Sequence, residues 1–324
     1  MYFFVCEFIT GGGMLHEVLP PQLAREGDMM LTALLADLQE AGIENLLCTR
    51  DRRLKIVDGN IKIIPADTSV WDIWRKCMEE SEAVWIIAPE TDGVLYELTR
   101  MAHIAGCLVI GCTPEAVQLA ASKCKTQDYL VSRNIPCIPV INDLDVGYAD
   151  GAGWVAKPDD GVGSEGCCYF PDARQTLAYI QSQKKRMVVQ EFVPGIAASM
   201  SFLCHSGQAR LLASNRQLFR FTAGKGHLEG VVVNGLPRYS VQFEILAKDI
   251  ADILPGLRGY VGVDVIISDN GPLVVEINPR LTTAYAGLRQ SLGANPAEWI
   301  LSIFRTGQLP EINPLDRMPV TVSI

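Results

Sequence analysis

Apolar and polar positions follow two periods along this chain. Tyr2 to Phe8 is apolar except for Glu7, the pattern of a buried strand. Thr10-Gly11-Gly12-Gly13 follows, a loop whose backbone can approach another group closely. From Pro21 to Ala41 the residues Leu23, Met30, Leu34, Leu35 and Leu38 recur at helical spacing, and Gly42 ends the helix. The pattern then predicts a strand over Asn45 to Thr49, a helix over Trp71 to Glu80 and a buried strand over Ala83 to Ala88. A helix over Val94 to Ala105 and a strand over Leu108 to Gly111 come next. This alternation predicts a small doubly wound α/β domain over residues 1–113. Ligands of such sheets sit at the carboxyl ends of the strands. Glu7 is therefore a candidate contact for a substrate ammonium, and Glu90 and Asp92 are candidate substrate contacts. The competing readings are an exposed strand-end acid at Glu7 and a helix cap at Thr91 or Asp92.

The remainder mixes helices with longer strand pairs, an α+β pattern that divides at 114–190 and 191–324. Helices are expected over Pro114 to Ala121 and Lys123 to Asn134, then a strand over Cys137 to Ile141. The acidic connection Asn142 to Gly153 is expected to be exposed and mobile. A strand ending in Lys157 leads into a loop holding Gly161, Gly163, Ser164 and Gly166. Such a loop can present backbone N–H groups to phosphate oxygens, with Lys157 beside it. It is not a Walker A loop, because no Gly-Lys-Ser/Thr opens a helix; a plain hairpin is the alternative. A helix over Asp172 to Lys184 and a strand over Met187 to Phe192 follow, then strands over Ala198 to His205 and Ala209 to Phe221. Phe221 to Gly230, with Lys225, His227 and Glu229, reads as a flexible flap. Helices are expected over Tyr239 to Leu254, Tyr285 to Ser291 and Ala297 to Phe304.

Between these helices lies the richest stretch. Val261 to Ile267 and Leu273 to Ile277 are apolar and flank Ser268-Asp269-Asn270-Gly271, which is turn chemistry. Glu276 and Asn278 are two apart and share a face. A three-residue turn, or a bulge, places Asp264 opposite Glu276, so that three oxygen donors converge on a hard divalent ion. A two-residue Asn-Gly turn puts Asp264 opposite Ile277 and scatters them. Arg280 lies two residues past Asn278, in reach of a transferred phosphoryl group. A solvent-facing acidic hairpin is the plain alternative.

Composition narrows the class. The chain has 324 residues, 48% of them hydrophobic, which suits an ordered protein of two or three compact units. Its formal net charge is −9 and it has no basic run, which argues against nucleic acid as a partner. No apolar run approaches a membrane span, and the start lacks a basic leader. Ten cysteines without a C-x-x-C spacing read as reduced thiols, so a cytoplasmic location is expected. The oligomeric state is left open, a homodimer included.

Four signals occur in one order: Lys123 before a helix; Lys157 with the Gly161 to Gly166 loop; Gln190-Glu191-Phe192-Val193-Pro194-Gly195; and Asp264 with Glu276-x-Asn278-Pro279-Arg280. Together they resemble the ATP-grasp ligases, from about Pro114 onward, with the preceding unit similar to their N-terminal domain. The resemblance implies that Lys123 and Lys157 reach the phosphates of ATP and that the Gly161, Gly163, Ser164 and Gly166 loop closes over them. Gln190, Glu191, Phe192 and Val193 would meet adenine, and Asp264, Glu276 and Asn278 would hold Mg2+ or Mn2+. Many members carry a ribose-binding acid where this chain has Ala197, so ribose recognition has no assigned residue.

Glu7 with Thr10 to Gly13, Ala88 to Gly93, and Ser214-Asn215-Arg216-Gln217 also resemble the family of tyramine–glutamate ligases. That likeness implies a small carboxylate such as glutamate and an amine such as tyramine as substrates. Arg280 would then serve the phosphoryl group and Arg216 a substrate carboxylate, while His227 is a flap residue without a catalytic part. The alternatives are a ligase for another acid–amine or dipeptide pair, and a nucleotide-sensing module without catalysis.

Overall fold

A computed structural model describes residues 2–55, 60–64, 69–141, 151–312 and 317–324. In chain order it has β1 (Tyr2–Glu7), α1 (Pro21–Glu40), β2 (Leu46–Asp51), β3 (Asn60–Ile64), α2 (Val70–Glu79), β4 (Ser81–Ile87), α3 (Val94–Ile104) and β5 (Leu108–Val109). These five strands form a parallel sheet in the order β3-β2-β1-β4-β5. Period-two alternation on β1 explains the double winding. Phe3 and Val5 pack with Leu31, Leu34 and Leu38 of α1, while Phe4 and Cys6 pack on the other face with Trp74 of α2 and Leu98 of α3. The strand order reverses beside β1 and β4, so their carboxyl ends open on the crevice where ligands of such sheets bind.

Next come α4 (Pro114–Ala120), α5 (Lys123–Ser132), β6 (Trp154–Pro158), β7 (Cys168–Phe170), α6 (Ala173–Ser182) and β8 (Met187–Glu191). β9 (Ile196–His205), β10 (Gln208–Thr222), β11 (Lys225–Val233), α7 (Ser240–Ile253), β12 (Gly259–Ser268), β13 (Gly271–Asn278), α8 (Tyr285–Leu292), α9 (Pro296–Thr306) and β14 (Val320–Ser323) complete the chain. Their strands form one nine-stranded sheet, β13-β12-β9-β10-β11-β7-β6-β8, with β14 also on β11. On β9 and β12 one face sends Met200, Phe202, Val261, Val263 and Val265 into a core closed by Phe243, Leu246 and Ile250 of α7. The opposite face carries Ser199 and Asp264 toward the cavity described below. Only Lys225 pairs with Cys168 across β11 and β7, and a separate small core of Trp154, Ala156, Ala173 and Val189 lies beyond that seam.

Three local expectations change. Residues Cys137 to Ile141 form no strand but make isolated bridges, Cys137 to Val274 and Val140 to Gln190. The Phe221 to Gly230 flap is an ordered hairpin: Ala223 and Gly224, at φ 49° and 78°, form the two-residue turn between Thr222 and Lys225. Strand β3 was not anticipated. Positions 142–150 of the acidic connection lie outside the described residues. All ten cysteines are free thiols, and among the described residues no helix is long and apolar enough to cross a membrane.

Candidate active site

A cavity of about 830 Å³ lies between the carboxyl ends of β1 and β4 and the polar face of the large sheet. Asp264, Glu276, Asn278 and Arg280 all line it. The hairpin reaches that arrangement by a bulge rather than by a three-residue turn. Its turn has two residues, Asp269 and Asn270, between paired Ser268 and Gly271. Unbroken, that register would set Val275 opposite Asp264. A bulge shifts the pairing after Val265 and Val274, so Asp264 stands opposite Glu276 and Gly262 opposite Asn278. The bulge keeps both Val275 and Glu276 on the cavity side.

The carboxyls of Asp264 and Glu276 hydrogen-bond one another. Burial and then the neighbouring Glu276 carboxylate push Asp264 well above the usual carboxylate range. Burial opposes ionisation of Glu276 too, but the Lys123 and Lys157 ammoniums outweigh it and hold that carboxyl at about 2. The surroundings therefore oppose the charged form of Asp264 more than that of Glu276. Two facing carboxyls and an amide oxygen on one sheet face fit a hard divalent ion, whose charge favours the ionised form of both. Among the described residues no group of three or more His, Cys, Asp or Glu is gathered for a metal. Phosphate oxygens and water would complete the shell, as suits Mg2+.

Lys123 opens α5, whose N-cap is Ser122. Asp159 fixes that end: its carboxylate accepts from the Cys124 backbone N–H at 2.8 Å and from Ser122 Oγ at 2.8 Å. Lys123 Nζ donates to the Gly161 carbonyl at 2.6 Å and pairs with Glu276 at 3.1 Å, so it spans the glycine loop and the hairpin. Lys157 is buried on β6, where desolvation lowers its pKa, and it makes no ion pair among the described residues. Gly163, Ser164 and Gly166 take left-handed conformations at φ 62°, 65° and 70°. Gly161, Gly163 and Ser164 line the cavity; Gly166 does not, and its carbonyl accepts from the Tyr179 hydroxyl.

The remaining residues divide. Glu191, Phe192 and Val193 line the cavity. Gln190 lines it as well, though it is buried and spends its side-chain amide on the Ile138 carbonyl, at 2.5 Å. Arg216 is exposed on the cavity wall with no side-chain partner among the described residues. Glu7 lines the cavity and is buried rather than exposed; burial pushes its carboxyl up to about 7 although Thr10 and Ile9 donate to it.

Glu90 is not placed as a substrate contact. It lies outside the cavity wall, with both oxygens on Arg280, at 2.9 and 2.8 Å. Asp92 lines the cavity, but neither it nor Thr91 caps α3. Thr91 Oγ1 donates to the Asp160 carbonyl at 2.8 Å and the Asp92 N–H to the Asp160 carboxylate at 2.9 Å, which clasps the glycine loop. His227 is exposed and borders a separate outer cleft.

Two polar residues at the site were not anticipated. Asp159 positions Lys123, and Gln217 donates its amide to Asp264 at 2.9 Å. Asp159 lay in the stretch already singled out, two residues after Lys157. Gln217 likewise closes the Ser214-Asn215-Arg216-Gln217 stretch singled out above, but its contact with Asp264 carries no local signal, since β10 meets β12 only across β9.

Comparison with known proteins places this geometry. The ATP-grasp domain family matches residues 120–284, and the pre ATP-grasp 3 domain family matches residues 45–117. The chain is 26% identical over 275 residues to the tyramine–L-glutamate ligase of Methanocaldococcus jannaschii, covering 82% of this chain and 79% of that one. It is 27% identical over 276 residues to the enzyme of the same name from Methanocaldococcus fervens, covering 82% and 84%. An ATP-grasp superfamily protein from Archaeoglobus fulgidus superposes with a TM-score of 0.70 at 22% identity, over 100% of this chain and 99% of that one. A bulged hairpin of oxygen donors, two lysines and a glycine loop around one cavity are thus set in a matching sequence, and the chain belongs to the ATP-grasp family, whose enzymes use ATP and Mg2+ in carbon–nitrogen ligation.

Proposed function

We propose that this protein joins the γ-carboxyl of L-glutamate to tyramine or a similar primary amine, with ADP and phosphate released. The observation that carries the reading is the convergence of Asp264, Glu276 and Asn278 with Lys123, Lys157 and Arg280 on one cavity. The named activity of the two archaeal relatives supports the choice of acid and amine.

A free carboxylate is a poor acylating agent. Its oxygen attacks the γ-phosphorus of ATP, ADP leaves, and an acyl phosphate remains; the amine nitrogen then attacks the acyl carbon and phosphate departs. Lys123 and Lys157 neutralise the phosphate oxygens, and Gly161 to Ser164 cover them with backbone N–H groups. Gly166 completes the loop's bend. Glu191 to Val193 line the nucleotide end, and Gln190 holds that strand in place. Asp264, Glu276 and Asn278 would hold Mg2+, which when bound would supply charge neutralisation for phosphoryl transfer. Arg280 meets that group, and Arg216, unpaired on the wall, takes the α-carboxylate of the acid.

ADP release is to be measured with a panel of amino acids crossed against a panel of amines. Release with glutamate and tyramine together, and little with either alone, supports the reading. Release with a different pair reassigns the substrates, and none with any pair contradicts ligation.

A further inference from the structure

The cavity has a second end that phosphate chemistry does not use. Leu23, Glu26, Gly27 and Met30 of α1 follow one another at helical spacing and all line it, as do Glu7 and Phe8 where β1 ends. Gly27 leaves room for the acid beside it: a Cβ there would lie 2.8 Å from Glu7 Oε1. Glu26 accepts from Thr283 Oγ1 at 3.0 Å, and Thr283 follows Arg280 by three residues. This end therefore adjoins the arginine assigned to phosphoryl transfer.

The charges here are unusual within the molecule. The other buried acids each meet an arginine: Asp37 with Arg289, Asp51 with Arg53, Glu90 with Arg280 and Asp159 with Arg186. Glu7 and Glu26 are 3% and 9% exposed and have no ion-pair partner among the described residues. Burial pushes both carboxyls upward, Glu7 to about 7. The Thr283 donor and nearby Arg280 offset part of that rise at Glu26, and the Thr10 and Ile9 donors part of it at Glu7, but burial without an ion pair still outweighs them, and a cationic ligand relieves that cost. Leu23, Met30 and Phe8 surround them with apolar surface.

We propose that this face of α1 and the end of β1 form the amine subsite, which takes a primary ammonium carried on an apolar arylalkyl body. The inference rests on the ligase reading above. Glu26 and Glu7 receive the ammonium N–H groups, and the apolar side chains receive the body. Before attack the ammonium passes one proton to Glu7. The nitrogen lone pair then forms the bond to the acyl carbon, the carbon–oxygen bond to phosphate breaks, and phosphate leaves with that electron pair, taking up the second proton that the nitrogen gives up as it becomes the neutral amide.

Hydroxylamine, a small nucleophile uncharged at neutral pH, separates the two claims, because it traps an acyl phosphate without an ammonium site. Hydroxamate formation from glutamate and ATP is compared with tyramine ligation in the unaltered protein, Glu26→Gln and Glu7→Gln. The expected result is that each variant loses kcat/KM for tyramine by about tenfold or more beyond its loss for hydroxylamine, the size of one charge-assisted hydrogen bond. Equal losses for the two nucleophiles would overturn the subsite. No hydroxamate from the unaltered protein would overturn the ligase reading, and the subsite with it. A second measurement needs no variant: 2-phenylethylamine should compete with tyramine at least about tenfold better than 2-phenylethanol does. Equal competition would also overturn the proposal.

Discussion

Arg280 is held by both oxygens of Glu90, at 2.9 and 2.8 Å, across 190 positions of sequence. Both side chains are nearly buried, at 13% and 5% exposure, so the pair sits where water screens it little. A planar guanidinium gripped on one edge has its direction set. The segment after β4 in the parallel sheet thus aims a side chain that follows the β12–β13 hairpin. Glu90→Gln should lower kcat by about a hundredfold with a much smaller change in the KM for ATP. It should also cost roughly 3 kcal/mol of stability, because one member of a buried pair is left alone. Steady-state kinetics with denaturant unfolding checks both; an unchanged kcat would remove Glu90 from any part in aiming Arg280.

The hairpin acids make a contrasting case. Asp264 and Glu276 repel one another, and among the described residues only Glu276 has an ion-pair partner, Lys123 at 3.1 Å. Asp264→Asn should abolish ADP release while unfolding free energy stays within about 1 kcal/mol of the original. Glu276→Gln should abolish it too, but at a cost of roughly 3 kcal/mol, because Lys123 is left buried and unpaired. A variant that unfolds outright would make that acid structural.

Lys157 should show the opposite signs in activity and stability. It is a buried cation without an ion pair among the described residues. Lys157→Met removes a phosphate partner and should raise the KM for ATP by about tenfold to a hundredfold. The same change replaces a desolvated charge by an apolar chain and should stabilise the ATP-free protein by about 1 kcal/mol. Calorimetry of the ATP-free protein tests the second effect; a large fall in melting temperature would show that Lys157 supports the fold.

Glu7 gives a pH signature. Its pKa rises from 4.5 to about 7 on folding, so between those values the folded state binds the proton more tightly than the unfolded chain. Its contribution to stability is therefore most favourable below 4.5 and is lost as pH rises through about 7, by about 3 kcal/mol in all. Glu7→Gln should remove that slope. The variant should gain on the original between pH 5 and pH 8 in denaturant unfolding. A constant difference across that range would place the Glu7 pKa near its ordinary value.

Some of this site was legible in the sequence, and the physical reason is locality. Asp264, Glu276 and Asn278 lie within one hairpin, where strand alternation and turn chemistry act over a few residues. The device that brings them into line, the bulge after Val265 and Val274, is set by pairing across strands and leaves no local mark. The glycine loop and its lysine were readable for the same local reason. Glu90 is different: strand-end chemistry marked it as functional, yet its pairing with Arg280 spans 190 positions and leaves no local mark. Glu26 on α1 looks like any polar residue on an amphipathic helix until the cavity is seen beside it. The Phe221 to Gly230 segment misled through its glycines. Gly224 supplies a turn that pins two strands together rather than a hinge.

The account depends most on an acyl phosphate formed from the carboxylate substrate. The direct measurement uses glutamate labelled with 18O in its γ-carboxyl, together with ATP, Mg2+ and tyramine, followed by mass analysis of the released phosphate. Transfer of one labelled oxygen into inorganic phosphate, in step with amide formation, is the predicted result. Unlabelled phosphate alongside amide product, or label appearing in AMP, would contradict it.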